Sequence, residues 1–246
     1  CPRTCNTMIY STNSDAEYKQ RRAQLANQLA MPKLWEIADH WSLYCGIGNL
    51  ARQLALIDIL RESLNVPGHI AEFGVWNGST TLLFAKLLRI LDPHGSKVVH
   101  AFDSFEGLTE FDSSDGGATA LAGTYKGSFE RMKAFIDLYK LDDTISLHPV
   151  YIENTLPDLL QSQTELSFTL IYCDTDLHQS TSLILENLHP RLMKGGLVVF
   201  DEWNHPDYPG EGVAASEFMS RFGDKYEARA VPNARQPSLI LKKIAY

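Results

Sequence analysis

The feature that most constrains this chain is an alternation of two periods. Short apolar runs of strand length fall at His69–Phe73, Lys97–Phe102, Thr144–Val150, Phe168–Cys173 and Leu197–Phe200. Between them, Ser79–Leu91, Phe129–Tyr139, the turn Leu156–Leu160 and Gln179–Met193 carry apolar residues at helical spacing, the last closed by Gly195 and Gly196. Val213–Phe222 predicts a short helix, and Tyr226–Ala230 with Ser238–Lys242 a terminal strand pair. Strands that alternate with helices predict an α/β fold with a largely parallel sheet covered on both faces. Ligands of such sheets sit beyond the C-terminal strand ends, near the reversal of strand order. The chemistry is therefore expected just after Phe73, Phe102, Cys173 and Phe200.

The chain before this pattern reads differently. Residues 1–30 are polar and without a strong period, Met31–Asn65 reads as helical, and Pro67-Gly68 punctuates. The expected division is a helical extension or lid over 1–65 and the α/β unit over 66–246. A length of 246 residues, with 44% hydrophobic and 21% charged, suits one large domain. The formal charge of −8 disfavours a nucleic-acid partner, which needs clustered Lys and Arg. No apolar stretch reaches the ~20 residues that span a bilayer. Cys1–Tyr10 lacks the basic and apolar regions of a secretion signal, so a cytoplasmic setting is expected; it also lacks an initiating Met, so the native start is expected upstream. Cys1, Cys5, Cys45 and Cys173 are expected to be free thiols in a reducing compartment.

The first motif, Glu72-Phe-Gly-Val-Trp-Asn-Gly-Ser-Thr80, joins a strand to a helix. Gly74 and Gly78 permit a sharp turn and close approach to a ligand, and Ser79 or Thr80 is the expected N-cap. The G-x-x-x-G spacing departs from the dinucleotide pattern. Asp103, ending the next strand, has the chemistry to bind both ribose hydroxyls of an adenosine ligand or to cap the turn from Ser104 to Gly107. Together, turn, helix, strand and acid fit an adenosine cofactor better than either part alone.

The second constellation is acidic. Asp174-Thr175-Asp176 follows one strand and Asp201-Glu202 another, so adjacent strand tips would deliver four carboxylates to one edge. Their repulsion is relieved by a hard divalent cation such as Mg²⁺. Helix capping by Asp176 accounts for one acid, not four. His178 and His205 flank the acids, as ligands, acceptor contacts or satisfied loop residues. Trp41, Tyr44, Trp203 and Tyr208 are candidate stacking surfaces for an acceptor ring, and the loop 105–124 is long enough to be functional.

These residues resemble a known family. Glu72-Phe-Gly-Val-Trp-Asn-Gly78, Asp103-Ser-Phe-Glu-Gly-Leu108, Asp174-Thr-Asp-Leu-His-Gln-Ser-Thr181 and Leu188-His-Pro-Arg-Leu-Met-Lys-Gly-Gly196 look like the macrocin O-methyltransferases, which methylate sugar hydroxyls in macrolide and aminocoumarin antibiotic pathways. The likeness runs from about Gly46 to Phe222. It implies a class I methyltransferase fold: a Rossmann-like, mostly parallel seven-stranded sheet with helices on both faces and an N-terminal helical extension. It also implies S-adenosylmethionine and Mg²⁺ or another divalent cation. By position, Asp174, Asp201 and Glu202 would be metal ligands and Asp176 the general base, with Asp174 sharing in catalysis. Glu72, Gly74, Asp103 and Asp174 would line the cofactor site, with Ser79 and Ser104 nearby. The chain departs from the family's usual residues at Thr175 (commonly Gly), Glu202 (commonly Asp) and Asn77 (usually Arg).

The resulting expectation is methyl transfer to a hydroxyl of a small molecule, a sugar moiety of a natural product. A cation on the acceptor oxygen would lower its pKa and Asp176 would take the proton. The alternatives are a catechol-type O-methyltransferase, an N-methylating or hydroxylase-like enzyme of a biosynthetic cluster, and a non-catalytic cofactor-binding module. The N-terminal helices are the expected surface for a homodimer or higher oligomer.

Overall fold

The computed structural model describes residues 13–109, 111–149 and 151–246. The expectations for Cys1, Cys5 and the start of the chain lie outside them. Strands β1 (His69–Phe73), β2 (Val99–Asp103), β3 (Ile145–Pro149), β4 (Phe168–Cys173), β5 (Leu192–Phe200), β6 (Tyr226–Ala230) and β7 (Leu239–Lys243) form one sheet in the order β3-β2-β1-β4-β5-β7-β6. The first five pair in parallel, and β7 pairs antiparallel with both β5 and β6. This is the expected seven-stranded α/β fold. The order reverses between β1 and β4, and the register brings the strand ends level there: Phe73 pairs with Phe102 and with Cys173, and Cys173 with Phe200. Every residue that follows a strand tip is thereby delivered to one rim.

The central strands are apolar without interruption because helices cover both faces. Ile70, Val99, Leu170, Tyr172, Leu197 and Val199 face helices α4 (Ile47–Ser63) and α5 (Ser79–Leu91), whose Leu56, Leu60 and Phe84 are fully buried. The alternate set, Phe73, Phe102, Ile171, Cys173, Val198 and Phe200, packs against helices from Ile152–Ser162, His178–Leu188 and Pro209–Phe222.

Four local expectations are corrected or refined. Asn13–Gln28 is helical (α1) although its sequence shows no apolar stripe; it docks through Leu25 and Ala26 and through an Arg21–Asp137 ion pair of 2.8 Å. The segment 31–65, read as helical, has breaks that divide it into three helices, α2 (Leu34–Asp39), α3 (Trp41–Tyr44) and α4. The helix beginning at His178 ends at Leu188, because Pro190 opens a short 3₁₀ turn; Gly195 and Gly196 then lie inside β5, where the pairing with β4 slips, and do not cap a helix. The loop 105–124 contains two 3₁₀ turns over Ser113–Leu121, broken at Gly116 (φ +55°).

Candidate active site

The turn after β1 is built on Gly74. Its φ is +87°, and a Cβ there would overlap the Asp174 carbonyl oxygen. Glycine is therefore what lets the β1 and β4 tips close on each other. The Gly74 N–H donates to Phe102 at 3.1 Å, and the Asp174 N–H to Phe73 at 2.9 Å. Asp103 accepts the N–H groups of Trp76 (2.6 Å) and Phe105 (2.5 Å), so it pins the Gly74–Gly78 loop and closes its own turn at once. The Ser104 hydroxyl accepts the Glu106 N–H at 3.2 Å. Glu72 is buried and accepts the Thr81 hydroxyl at 2.5 Å. Burial pushes its pKa up to about 8, with the Thr81 bond opposing. The expected capping by Ser79 or Thr80 is absent: Gly78 holds the cap position in left-handed conformation, and no side chain caps α5. A Cβ on Gly78 would also overlap the Met132 sulfur.

The β4 and β5 tips bring three of the four predicted acids into one cluster and set the fourth, Asp201, beside it. Asp174, Asp176 and Glu202 each present an oxygen within 4.8 Å of the others. Asp176 sits at φ +63°, a conformation Asp tolerates better than most residues, and it caps no helix; Leu177 holds the N-cap position before His178. Its carboxyl is pushed up to about 7 by burial and by Asp201. Glu202 also rises to about 7, through burial, then Asp201 and Asp176. Burial and Asp201 hold Asp174 well above the usual carboxylate range, against the pull of Arg52. Asp201 turns to other partners. It accepts Arg52 Nη1 at 2.5 and 2.7 Å and the Tyr172 hydroxyl.

Sequence reasoning missed several of these contacts. Arg52, on α4, also reaches Asp174 through Nη2 at 3.3 Å. Burial works against its charge, but Tyr172, Asp201 and Asp174 outweigh that and keep its pKa above the ordinary value. An arginine three, four and seven residues before Ala55, Leu56 and Ile59, hence on the buried face of α4, was the available signal. Glu211, fully buried, accepts the Glu202 N–H at 2.7 Å, and Gln236 donates to the Glu202 carboxylate. Neither carries a signal in its local sequence.

Even with these partners the acid end is incomplete. Glu202 Oε2 and Glu211 Oε2 are buried and have no hydrogen-bond partner. Buried polar atoms are rarely left so. Convergent carboxylates with an orphaned oxygen are donors of the kind a hard dication takes, and the residues present fit Mg²⁺.

Both ends open into one cavity of about 1170 Å³, larger than the usual 300–1,000 Å³ of a single-ligand pocket. Glu72, Gly74, Ser79, Asp103 and Ser104 line one part, and Asp174, Asp176, Asp201 and Glu202 another. Trp41, Tyr44 and Tyr208 are walls as expected; Trp203 instead packs on the core and donates its backbone N–H to Ser238. Tyr125 joins Tyr208 through a 2.7 Å contact between hydroxyls. His178 and His205 do not line the cavity. His178 bridges Asp112 (2.6 Å) and Glu217 (3.0 Å), and His205 meets Arg235 at 3.2 Å. Cys45 and Cys173 are free thiols. No helix among the described residues is long and apolar enough to cross a membrane.

Comparison with known proteins agrees with this geometry. The structure of CalS11, a calicheamicin methyltransferase, superposes with a TM-score of 0.76 at 25% identity over 99% of this chain and 97% of that one. A second structure of CalS11, described as a TDP-rhamnose 3'-O-methyltransferase, gives 0.67 at 25% identity, covering 98% of this chain and 99% of that one. The 8-demethyl-8-(2,3-dimethoxy-alpha-L-rhamnosyl)-tetracenomycin-C 4'-O-methyltransferase of Streptomyces olivaceus is 32% identical over 147 residues, 56% of this chain and 54% of that protein. The match thus spans about half the length of that relative. The profile of the macrocin-O-methyltransferases matches residues 45–220, which takes in α4 with Arg52, the glycine turn and all four acids. The chain belongs to the macrocin-O-methyltransferase family.

Proposed function

We propose that this chain transfers the methyl group of S-adenosylmethionine to a hydroxyl of a small molecule, a sugar moiety of a natural product, with the help of a divalent cation. The observation that carries the reading is the convergence of Asp174, Asp176 and Glu202 in the cavity that also holds the Glu72–Asp103 turn. The Streptomyces olivaceus relative, named for a sugar hydroxyl, supports the acceptor class.

S-adenosylmethionine bound at the β1–β2 tips supplies an electrophilic methyl group. Asp103, fixed by two backbone donors, takes the ribose hydroxyls; Glu72, beneath it, takes the amino-acid part; Gly74 lets the ligand approach the backbone, with Ser79 and Ser104 alongside. Asp174 and Glu202 would hold Mg²⁺, which supplies a Lewis acid for the acceptor oxygen. Asp201, the further expected ligand, would join them only on release from Arg52. Asp176 accepts the acceptor's proton, and a carboxyl poised near 7 suits a base working at neutral pH. In the proposed division, 1–65 is the extension and lid, of whose described part α4 is anchored in the core and α2–α3 line the cavity; residues 66–246 carry the chemistry in a reducing, cytoplasmic setting.

Chelation tests the metal role: EDTA should abolish activity and Mg²⁺ restore it. Activity that survives thorough chelation rejects that role. Product mass against sugars and catechols separates methyl transfer to sugars from transfer to phenols.

A further inference from the structure

Of the three clustered acids, Glu202 has the longest side chain, with one torsion more than Asp174 or Asp176. Left to itself it would be the least defined ligand of the set, since every free torsion is fixed at a cost in entropy. Two other elements fix it. Glu211, on the first turn of the helix Pro209–Phe222, accepts the Glu202 N–H at 2.7 Å. An acid at this third helical position commonly reaches back to the N-cap residue. Here the N-cap, Tyr208, donates its N–H to the His205 carbonyl instead, and Glu211 is left to serve Glu202. Gly212 lets that helix come close, because a Cβ there would overlap the Trp203 carbonyl oxygen. The backbone of Glu202 is thereby held.

Its carboxylate is held from elsewhere. Gln236, between β6 and β7, lines the cavity and donates its side-chain amide to Glu202 Oε1. This glutamine lies beyond residues 45–220, which match the family profile, so family membership does not account for it. Nor is its bond needed to tie the loop down, because Ser238 does so three times. The Ser238 N–H donates to the Phe200 carbonyl at 2.9 Å, its hydroxyl donates to the Asp201 carbonyl at 2.9 Å, and it accepts the Trp203 N–H at 2.9 Å. What Gln236 adds is confined to the carboxylate. One oxygen is taken, and Oε2, buried and without a partner among the described residues, is left for a cation.

A carboxylate with one oxygen taken meets a cation through the other. Mg²⁺ suits such a ligand: it is octahedral at about 2.0–2.1 Å, needs few carboxylate oxygens and keeps several waters. Ca²⁺ takes roughly six to eight oxygens at about 2.3–2.6 Å and makes use of bidentate carboxylates.

We infer that Gln236 determines metal specificity: by holding Glu202 Oε1 it restricts that carboxylate to one oxygen and so favours Mg²⁺ over Ca²⁺. The inference rests on the metal-assisted reading above.

The experiment titrates Mg²⁺ and, separately, Ca²⁺ into the whole chain with S-adenosylhomocysteine, by calorimetry. The unaltered chain should bind Mg²⁺ the more tightly. Gln236→Met keeps the side-chain length and removes the donor. It should shift the ratio of the two dissociation constants toward Ca²⁺ by about tenfold, the effect usual when a group that holds a metal ligand is lost. Gln236→Ala should do the same, and a thermal melt verifies that each variant folds. Ser238→Ala is the comparison for a structural role: it loosens the same turn without touching the carboxylate, and should weaken both ions alike. A ratio unchanged in both Gln236 variants, or a parallel loss of both ions, overturns the inference and keeps the metal reading. So does an unaltered chain that already prefers Ca²⁺. Binding of neither ion to the unaltered chain overturns the metal reading and this inference with it.

Discussion

The two ends of the cavity are held together in opposite ways. At the β1–β2 tips each key acid is satisfied within a few dozen residues of itself: Glu72 by Thr81, Asp103 by Trp76 and Phe105. At the β4–β5 tips the acids crowd one another, two buried oxygens lack partners among the described residues, and a cation that meets the acids, Arg52, comes from a helix 149 residues earlier in the chain than Asp201. A site whose acids are already hydrogen-bonded is built to hold a ligand in place without first being neutralised. A site left with an excess of carboxylates has charge to share with a cation. The asymmetry therefore separates the cofactor end from the reacting end without reference to any bound molecule.

The sharpest way to break this comparison is at the base. Asp176→Asn should lower kcat by about 10²- to 10⁴-fold while the affinity for S-adenosylmethionine, measured by calorimetry, stays within about twofold. Full turnover in that variant removes Asp176 from the chemistry.

Arg52→Met comes next. It removes the guanidinium shared by Asp201 and Asp174. Loss of one member of a fully buried pair costs 3–5 kcal/mol, and partial exposure of this one reduces that to about 2 kcal/mol. The melting temperature without metal should fall by several degrees, and Mg²⁺ should recover more of it than in the wild type. An unchanged melt means the acids do not need that charge.

A pH series sharpens the contrast. Asp176 and Glu202 titrate near 7 in the folded chain, above the ordinary carboxylate range of unfolded peptide. Folding stability from these groups is therefore full at low pH and is lost as pH rises through about 7. A dication takes the place of the protons, so the thermal shift caused by Mg²⁺ should be larger at pH 8 than at pH 5.5. An equal or reversed shift contradicts a carboxylate site.

The smallest effect belongs to the satisfied end. Thr81→Val removes one donor to buried Glu72 and should cost about 1–2 kcal/mol in stability or cofactor affinity, with the response to Mg²⁺ unchanged. A lost Mg²⁺ response would show that the two ends are coupled, contrary to the division drawn here.

The local grammar of the chain was enough for the strand tips. Each tip ends on an apolar run, and its polar residues follow at once, so parallel strands in register had to deliver Asp103, Asp174 and Asp201 to one rim. The glycine spacing was legible for the same reason: Gly74 answers to a clash one strand away, and the residue itself announces it. Helix α1 was not legible, because Leu25 and Ala26 alone, with an ion pair and a tilted Tyr18–Tyr139 contact to a distant helix, leave no apolar stripe in its sequence.

Sequence alone thus determined the alternating elements, the covered parallel sheet and which acids follow its strand tips, because alternation and turn chemistry act between near neighbours, while the place where strand order reverses came from the structure. Only the tertiary structure decided that Asp201 faces Arg52 while Asp176 joins Asp174 and Glu202, and that Glu211 and Gln236 fasten Glu202 from behind. Those assignments depend on which side chains meet across long sequence separations, where electrostatics and burial act through space and leave no period in the chain.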